Sequence, residues 1–117
     1  MPDTIPLGHI AHSRSGDKGN HANVAVIAFT QPGYEWIRQH VTVEAISDYF
    51  KNLGATKVER FEAANVWGLN FMLHDALAGG ASRSLRTDTQ GKALGQAVLA
   101  LPVPRPDDLQ SMSDPLA

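Results

Sequence analysis

The stretch from Ala22 to Thr30 constrains the fold more than any other part of the chain. It reads Ala-Asn-Val-Ala-Val-Ile-Ala-Phe-Thr, which is almost continuously apolar and rich in β-branched residues. A run this short and this apolar favours a buried strand over a helix. The sequence therefore predicts a sheet with this stretch as a central strand.

Other periodic stretches predict the elements around that strand. In Ile5 to His12 and in Thr56 to Ala64, apolar and polar residues alternate as they do in strands. The second of these strands is predicted to have one solvent-exposed face. From Tyr34 to Leu53 apolar residues recur at helical spacing, which predicts two helices or one bent helix ending at Gly54. Thr42 suits a helix start within this region. Two further helical stripes are predicted, at Asn65 to Leu77 and at Ala93 to Leu101.

Two polar stretches that contain glycine carry most of the chemistry. The first, from His12 to Asn23, is predicted to be a loop. Gly16 and Gly19 would let its backbone approach a ligand closely, and exposed N–H groups in such a loop can form a concavity that binds anions. Glycines, hydroxyls and cations recur from Gly79 to Lys92. We therefore predict that the two loops converge on one anionic site.

Length and composition suit one globular domain. The chain has 117 residues, of which 43% are hydrophobic and 19% are charged. The net charge of −2 gives no reason to expect nucleic acid as a partner. Because there are no cysteines, disulfides, thiolate metal sites and thiol nucleophiles are excluded. The sequence shows no signal peptide and no membrane span, so we expect a cytoplasmic protein with no membrane partner.

The polar stretches also carry a resemblance to a known family. Their parts, in chain order, are Ala11 to Asn20 with the specific string Ser-Gly-Asp-Lys-Gly-Asn, then Leu69-Asn70-Phe71, His74-Asp75-Ala76-Leu77, and Gly79 to Lys92. Together they resemble the C-terminal domain of the AtuA family, which is named for acyclic terpene utilisation. The similarity covers approximately Ile5 to Val103.

The resemblance implies a ferredoxin-like α+β two-layer sandwich with helices on one face of the sheet, here as a stand-alone chain. It places an AtuA-like domain at residues 1–103, followed at 104–117 by a tail rich in proline and aspartate. We expect that tail to lack packed structure unless a partner orders it. The resemblance also implies a setting of acyl-CoA and terpenoid breakdown, with an AtuA N-terminal-domain protein as a candidate partner. It carries over no catalytic residue.

The candidate site residues therefore rest on chemistry. His12, or His74 oriented by Asp75, is a candidate general base. His9 and His12 are three residues apart in a predicted strand and should point to opposite faces, so no metal site is predicted. The ligand-binding candidates in the two loops are Arg14, Ser15, Gly16, Asp17, Lys18, Gly19, Asn20, Gly79, Gly80, Ser82, Arg83, Arg86, Asp88 and Lys92.

Structural alternatives stay open for each group. The first loop could be a connection in which Asx and Ser turns satisfy the backbone. The second could be a salt-bridged loop in which Asp88 or Thr89 caps a helix. His74 could be a hydrogen-bonded core or interface histidine.

Three functions follow from these alternatives. The first is an accessory or co-catalytic subunit that recognises an anionic ligand, an acyl-CoA or a carboxylate, in acyl-CoA or terpenoid catabolism. No bound cofactor is predicted, although a coenzyme A thioester would be a substrate. The second is an independent small lyase or hydratase acting on an acyl-CoA. The third is a purely structural oligomerisation domain, and a homo-oligomer is expected in any case.

Overall fold

The computed structural model describes residues 3–18, 21–51, 54–75 and 92–114. In these ranges the strands are β1 (Thr4–Pro6), β2 (Ala11–Lys18), β3 (His21–Ala28), β4 (Lys57–Ala63), β5 (Gly68–His74) and β6 (Pro102–Pro104). The α-helices are α1 (Gln31–His40), α2 (Val43–Tyr49) and α3 (Lys92–Val98). Short 3-10 turns lie at Leu7–His9, Ala64–Val66 and Leu109–Ser111.

Four of the strands form an antiparallel sheet in the order β2-β3-β5-β4. The predicted central strand is confirmed, because β3 lies between β2 and β5. Its register pairs Val26 with Ser13 on one side and with Leu69 on the other. At the far side of β5, Lys57 pairs with His74.

The connections between strands give the sheet its architecture. Because β5 runs antiparallel to both β3 and β4, β3 and β4 are parallel to each other, and α1 and α2 form the crossover between them. The strand after α3 does not enter this sheet. Instead β6 pairs with β1 in a separate two-stranded sheet. The edge of the four-stranded sheet beside β3 is therefore formed by β2, which precedes β3 in the chain, and not by β6.

The core lies between the helices and one face of the sheet. On β3 the burial alternates strictly, with Ala22, Val24, Val26 and Ala28 at most 3% exposed. The hydroxyl of Tyr49 on α2 donates to the Ala97 carbonyl on α3 at 2.8 Å, which ties these helices together. The other fully buried large side chains include Leu7, Ile10, Ile37, Val41, Ile46, Leu69, Phe71, Leu73 and Leu94.

Side-chain caps explain where α1 and α2 begin. Thr30 accepts a hydrogen bond from the Gly33 N–H at 3.2 Å, and Thr42 accepts one from the Ala45 N–H at 3.0 Å. Each cap satisfies one backbone donor that the first helical turn leaves free. Of the two predicted alternatives, two helices or one bent helix, the structure has two helices, and the predicted end at Gly54 is wrong. The second ends at Tyr49, and Gly54 beyond it has the left-handed φ of 72°.

The predicted loop from His12 to Asn23 is wrong, because most of this stretch forms the β2–β3 hairpin. The polar residues of this stretch are strand residues, whose backbones pair between β2 and β3. Ser13 faces α3 and donates to the Gly95 carbonyl at 2.5 Å. A side chain at Gly95 would lie 3.0 Å from the Ser15 hydroxyl, so a small residue on each side allows the helix to approach the strand.

The predicted helix from Asn65 to Leu77 is also wrong. Gly68–His74 is strand β5, in which Leu69, Phe71 and Leu73 are buried while Asn70, Met72 and His74 are partly exposed. Over seven residues the apolar positions fit both a helical stripe and a strand alternation, and sheet pairing on both sides favours the strand.

The expectation that the tail lacks packed structure is wrong for its first part. Met112 is 9% exposed and belongs to the core, and Leu109 packs against it. The Arg105 N–H donates to the Asp3 carbonyl at 2.7 Å beyond the β1–β6 pair. None of the helices within the described ranges is long and apolar enough to cross a membrane.

Candidate functional site: the open face of the sheet

The sheet face turned away from the helices is the candidate site, and we call it the open face. Strand register places its side chains in four rows across the sheet. The rows span about 20 Å along the strands and about 14 Å across them. They run from His12, Ile27 and Ala63, through Arg14, Ala25, Asn70 and Phe61, then Gly16, Asn23, Met72 and Glu59, to His21, His74 and Lys57.

The last of these rows, together with Glu59 and Asp75, forms the polar end of the open face. His74 Nε2 lies 2.7 Å from Glu59 Oε1. A carboxylate only accepts, so His74 donates its Nε2–H. This hydrogen bond, supported by Lys57 Nζ at 3.6 Å, holds the pKa of the Glu59 carboxyl below its ordinary value.

His21 is held in a different way at the same end. Its Nδ1 accepts the backbone N–H of Asp75 at 3.0 Å. Asp75 has a left-handed φ of 62°, and Thr56 donates to its carboxylate at 2.7 Å. The rings of His21 and His74 meet edge to face, with centroids 5.1 Å apart. Neighbouring strands thus bring two imidazoles together, each with its own partner.

The middle of the open face carries amides and one cation. Asn23 Nδ2 donates to Asn70 Oδ1 at 3.1 Å across β3 and β5. A Cβ at Gly16 would lie 3.1 Å from Asn23 Oδ1, so glycine leaves this amide accessible from β2. Arg14 is exposed, and no carboxylate within the described ranges pairs with it. These groups can bind a polar ligand by directed hydrogen bonds.

The opposite, apolar end presents large hydrophobic side chains. Phe61 is 51% exposed, and the β4–β5 turn adds Val66 and Trp67 at 54% and 38%. Trp67 has a left-handed φ of 58°, an uncommon conformation for a bulky residue. His12 also lies at this end and stacks on Phe29, with centroids 5.6 Å apart.

The open face brings some of the predicted residues together and separates others. His74 and His12, the two catalytic candidates, lie at opposite ends. Glu59, and not Asp75, orients His74, which corrects the predicted His74–Asp75 pair. Arg14 and Gly16 share the face, whereas Ser15 lies on the covered side near Gly95.

Most of the remaining ligand-binding candidates lie outside the residues or side chains that the structure describes. Asp17 and Lys18 are the last residues of β2, and Lys92 begins α3; the structure describes their backbone only. The candidates outside the described residues are Gly19, Asn20, Gly79, Gly80, Ser82, Arg83, Arg86 and Asp88. The convergence of the two glycine-containing stretches therefore stays a prediction.

The points where those stretches leave the sheet are adjacent. Lys18 pairs with His21 at the end of the hairpin. The second stretch follows β5, whose last residue is His74. The bond from Asp75 N–H to His21 joins the two points. The last described residues before 19–20 and before 76–91, Lys18 and Asp75, thus both lie at the polar end.

Sequence reasoning missed Glu59, His21, Asn70 and Lys57. They lie on three strands, and only the strand register makes them neighbours. Glu59 and His74 are polar residues in stretches that are otherwise partly apolar, and this was the available signal. Nothing in the sequence shows that residue 59 contacts residue 74, because the contact depends on the pairing of β4 with β5. Within the ranges that the structure covers, no group of three or more histidine and acidic side chains is arranged to hold a metal ion.

An antiparallel sheet with a split β-α-β unit and helices on one face defines a ferredoxin-like α+β sandwich, as predicted. The chain belongs to the AtuA ferredoxin-like domain family, whose family model matches residues 5–104. This confirms the resemblance seen in the sequence. No curated protein and no solved structure matches the chain.

Proposed function

We propose that the chain is an accessory or co-catalytic subunit that binds an acyl-CoA, or a related acid with an apolar chain, on its open face. The anionic head lies toward the polar end, and the apolar chain runs toward Phe61. We propose acyl-CoA or terpenoid catabolism as the setting of this role.

The gradient of polarity along the open face carries this proposal. Imidazoles and Lys57 lie at one end, while Phe61, Val66 and Trp67 are exposed at the other. At one end, an amphipathic acid of matching length would gain a binding free energy of about 25 cal/mol for each Å² of apolar surface that it buries. At the other end it would keep its charge in polar surroundings. A face that served only to cover a core would not need both a polar end and an exposed apolar end.

Both carboxylates at the polar end already have partners within the described residues. Glu59 is paired with His74 and Lys57, and Asp75 accepts from Thr56. The ligand's anionic group would then bind cations of the two glycine-containing stretches, or Arg14 in the middle of the open face, which has no carboxylate partner in the described ranges. The predicted ligand groups Lys18, Arg83 and Arg86 would supply that positive charge.

Thermal-shift titration tests the proposal, because a ligand that binds only the folded state raises its stability by mass action. The ligands are coenzyme A, acetyl-CoA, a ten-carbon branched acyl-CoA and the corresponding free acid. We expect the melting temperature to rise most with the branched acyl-CoA. Arg14→Gln should reduce the rise with every ligand, and Phe61→Ser should remove the advantage of the long chain.

Lys51→Gln is the matched control, because it removes one positive charge from an exposed residue after α2, away from the open face. Its response should equal that of the wild type. No rise with any thioester or acid would overturn the proposal. An equal rise in melting temperature with coenzyme A and with the branched acyl-CoA would show that the apolar end does not bind the acyl chain.

Self-association is a second candidate function, favoured by the exposed Val66 and Trp67 beside Phe61. Large exposed apolar patches often mark interaction sites. Sedimentation equilibrium tests it: a dimer that becomes a monomer in Val66→Ser would support an oligomerisation role through this end. A monomeric wild type would exclude that role.

A further inference from the structure

We propose that His74 and His21 form a proton-transfer pair for a bound acyl thioester, with His74 Nδ1 as the base and His21 Nε2–H as the donor to the thioester oxygen. This inference rests on the proposed function and names the chemistry of its polar end. The two rings suit these roles because each uses a different nitrogen for its structural hydrogen bond.

His74 keeps a lone pair available. Its Nε2–H is committed to Glu59 at 2.7 Å, so in the neutral ring the other nitrogen, Nδ1, is unprotonated. The described residues provide no partner for that Nδ1. The side chain is 29% exposed, which leaves the lone pair accessible from the open face. His74 is therefore an oriented base.

His21 keeps a proton available instead. Because Nδ1 accepts the Asp75 N–H, the neutral ring carries its proton on Nε2. The Asp75 carboxylate oxygen is 3.9 Å from the same Nδ1, too far for a hydrogen bond. Thr56 holds that carboxylate by its other oxygen. The side chain is 41% exposed, so Nε2–H can reach a ligand.

Rigid elements fix both roles. Glu59 and His74 lie on paired strands, and the donor to His21 is a backbone N–H, which cannot rotate away as a side chain can. The rings meet edge to face at 5.1 Å, so one small group can touch both. Proton donors and acceptors held in this way give proton transfer without reorganisation.

The step balances without a further reactant. His74 Nδ1 takes a proton from the carbon next to the thioester carbonyl; the C–H bond breaks and an N–H bond forms. The released electron pair forms the enolate, whose oxygen accepts a hydrogen bond from His21 Nε2–H. Return of a proton from His74 to the carbon restores the thioester. In D₂O this cycle replaces hydrogen by deuterium.

Deuterium incorporation into the branched acyl-CoA, followed by ¹H NMR, tests the pair. Wild type should exchange the position next to the carbonyl above the buffer rate. His74→Gln should lower the enzymatic rate by about 100-fold or more, as loss of a general base does. His21→Gln should lower it by about 100-fold, as loss of an oxyanion donor does. His9→Gln, an exposed histidine in the first 3-10 turn, is the matched control and should exchange as the wild type does.

Glu59 is a positioning residue, and its role has its own readout. Glu59→Gln should lower the exchange rate less than His74→Gln, and Glu59→Asp should restore part of it. Long-range ¹H–¹⁵N NMR should show Nε2–H tautomers for both histidines in the wild type, and loss of that preference for His74 alone in Glu59→Ala. A purely structural Glu59 would change stability without changing the His74 tautomer.

Binding and exchange are measured on the same samples, which separates the two proposals. Thermal stabilisation by the acyl-CoA without exchange would overturn the proton-transfer pair and leave the binding proposal standing. Exchange that His74→Gln does not change, or an Nδ1–H tautomer at His21, would overturn the pair as well. Neither stabilisation nor exchange would overturn both.

Discussion

The two faces of β3 and β5 differ in chemical character, because alternate residues of each strand point to opposite sides of the sheet. On the covered face, Val24, Val26 and Phe71 are completely buried and apolar. On the open face, Asn23 and Asn70 bond to each other, and imidazoles with separate partners lie beyond them. The covered face can be explained by core packing alone. The polar groups of the open face are not explained by core packing, and a ligand that binds there is our proposal for them.

The largest expected effect compares adjacent residues on the two faces of β5. Phe71→Ala removes a fully buried aromatic ring and should lower the free energy of unfolding by about 3–5 kcal/mol. Met72→Ala on the open face should lower it by about 1 kcal/mol or less. Urea unfolding followed by circular dichroism measures both.

Phe71→Leu keeps the comparison usable if Phe71→Ala does not fold, because this smaller change should cost roughly 1.5 kcal/mol. Equal losses at Phe71 and Met72 would contradict the assignment of faces. In that case residue 72 would be covered by a partner in solution, and the loss should depend on protein concentration.

Two tyrosines on the covered side provide a smaller and more selective test. The Tyr49 hydroxyl donates to the Ala97 carbonyl, so Tyr49→Phe should cost about 0.5–1.5 kcal/mol. The hydroxyl of Tyr34 is buried without a hydrogen-bond partner among the described residues. Tyr34→Phe should therefore be neutral or stabilising, because it removes a polar group that burial penalises. Both free energies come from the same urea unfolding experiment.

Each tyrosine is the control for the other, since both changes delete only one oxygen. A loss at Tyr34 as large as that at Tyr49 would show that the Tyr34 hydroxyl is hydrogen-bonded in solution. A loss at Tyr49 alone would confirm that the hydrogen bond to Ala97, and not the presence of a buried hydroxyl as such, gives the stabilisation.

The sequence predicted the covered face better than the open one. Ala22 to Thr30 was identified as a central strand because a short run of β-branched residues leaves few other options. For the hairpin before it, the polar and glycine-containing sequence favours a loop, because Ser13 and Ser15 occupy positions that face the helices, where apolar residues usually reveal a strand. Their small size, and Gly95 opposite, allow α3 to pack there, and this requirement is visible only in three dimensions.

For the site, local chemistry identified single residues but not their partners. On the open face, His74, Arg14 and Gly16 were candidates predicted from the sequence, each for its own chemistry. Glu59 was not, because its contact with His74 depends on the pairing of β4 with β5. Asp75 was chosen as the partner because it is the next residue in sequence, yet its side chain bonds to Thr56.

The smallest expected effect concerns the pH dependence of stability at the polar end. The His74 hydrogen bond lowers the pKa of Glu59 in the folded protein. A carboxyl with a lowered folded pKa stabilises the fold above its unfolded pKa of about 4.3, and this contribution is lost as the pH falls through the folded pKa. Glu59→Gln should thus be less stable than the wild type at pH 6, and the difference should shrink toward pH 3.

Urea midpoints measured from pH 7 to pH 3 provide the test, with Glu44→Gln as the matched control. Glu44 is exposed in the first turn of α2, and none of the described contacts joins it to a histidine. Its variant should remove only the smaller effect of a carboxylate near a helix N-terminus. A difference between wild type and Glu59→Gln that stays constant down to pH 3 would mean that the Glu59–His74 contact does not persist in solution. His74 would then lack its orienting partner, and the proposed proton-transfer pair would fail while the binding proposal would stand.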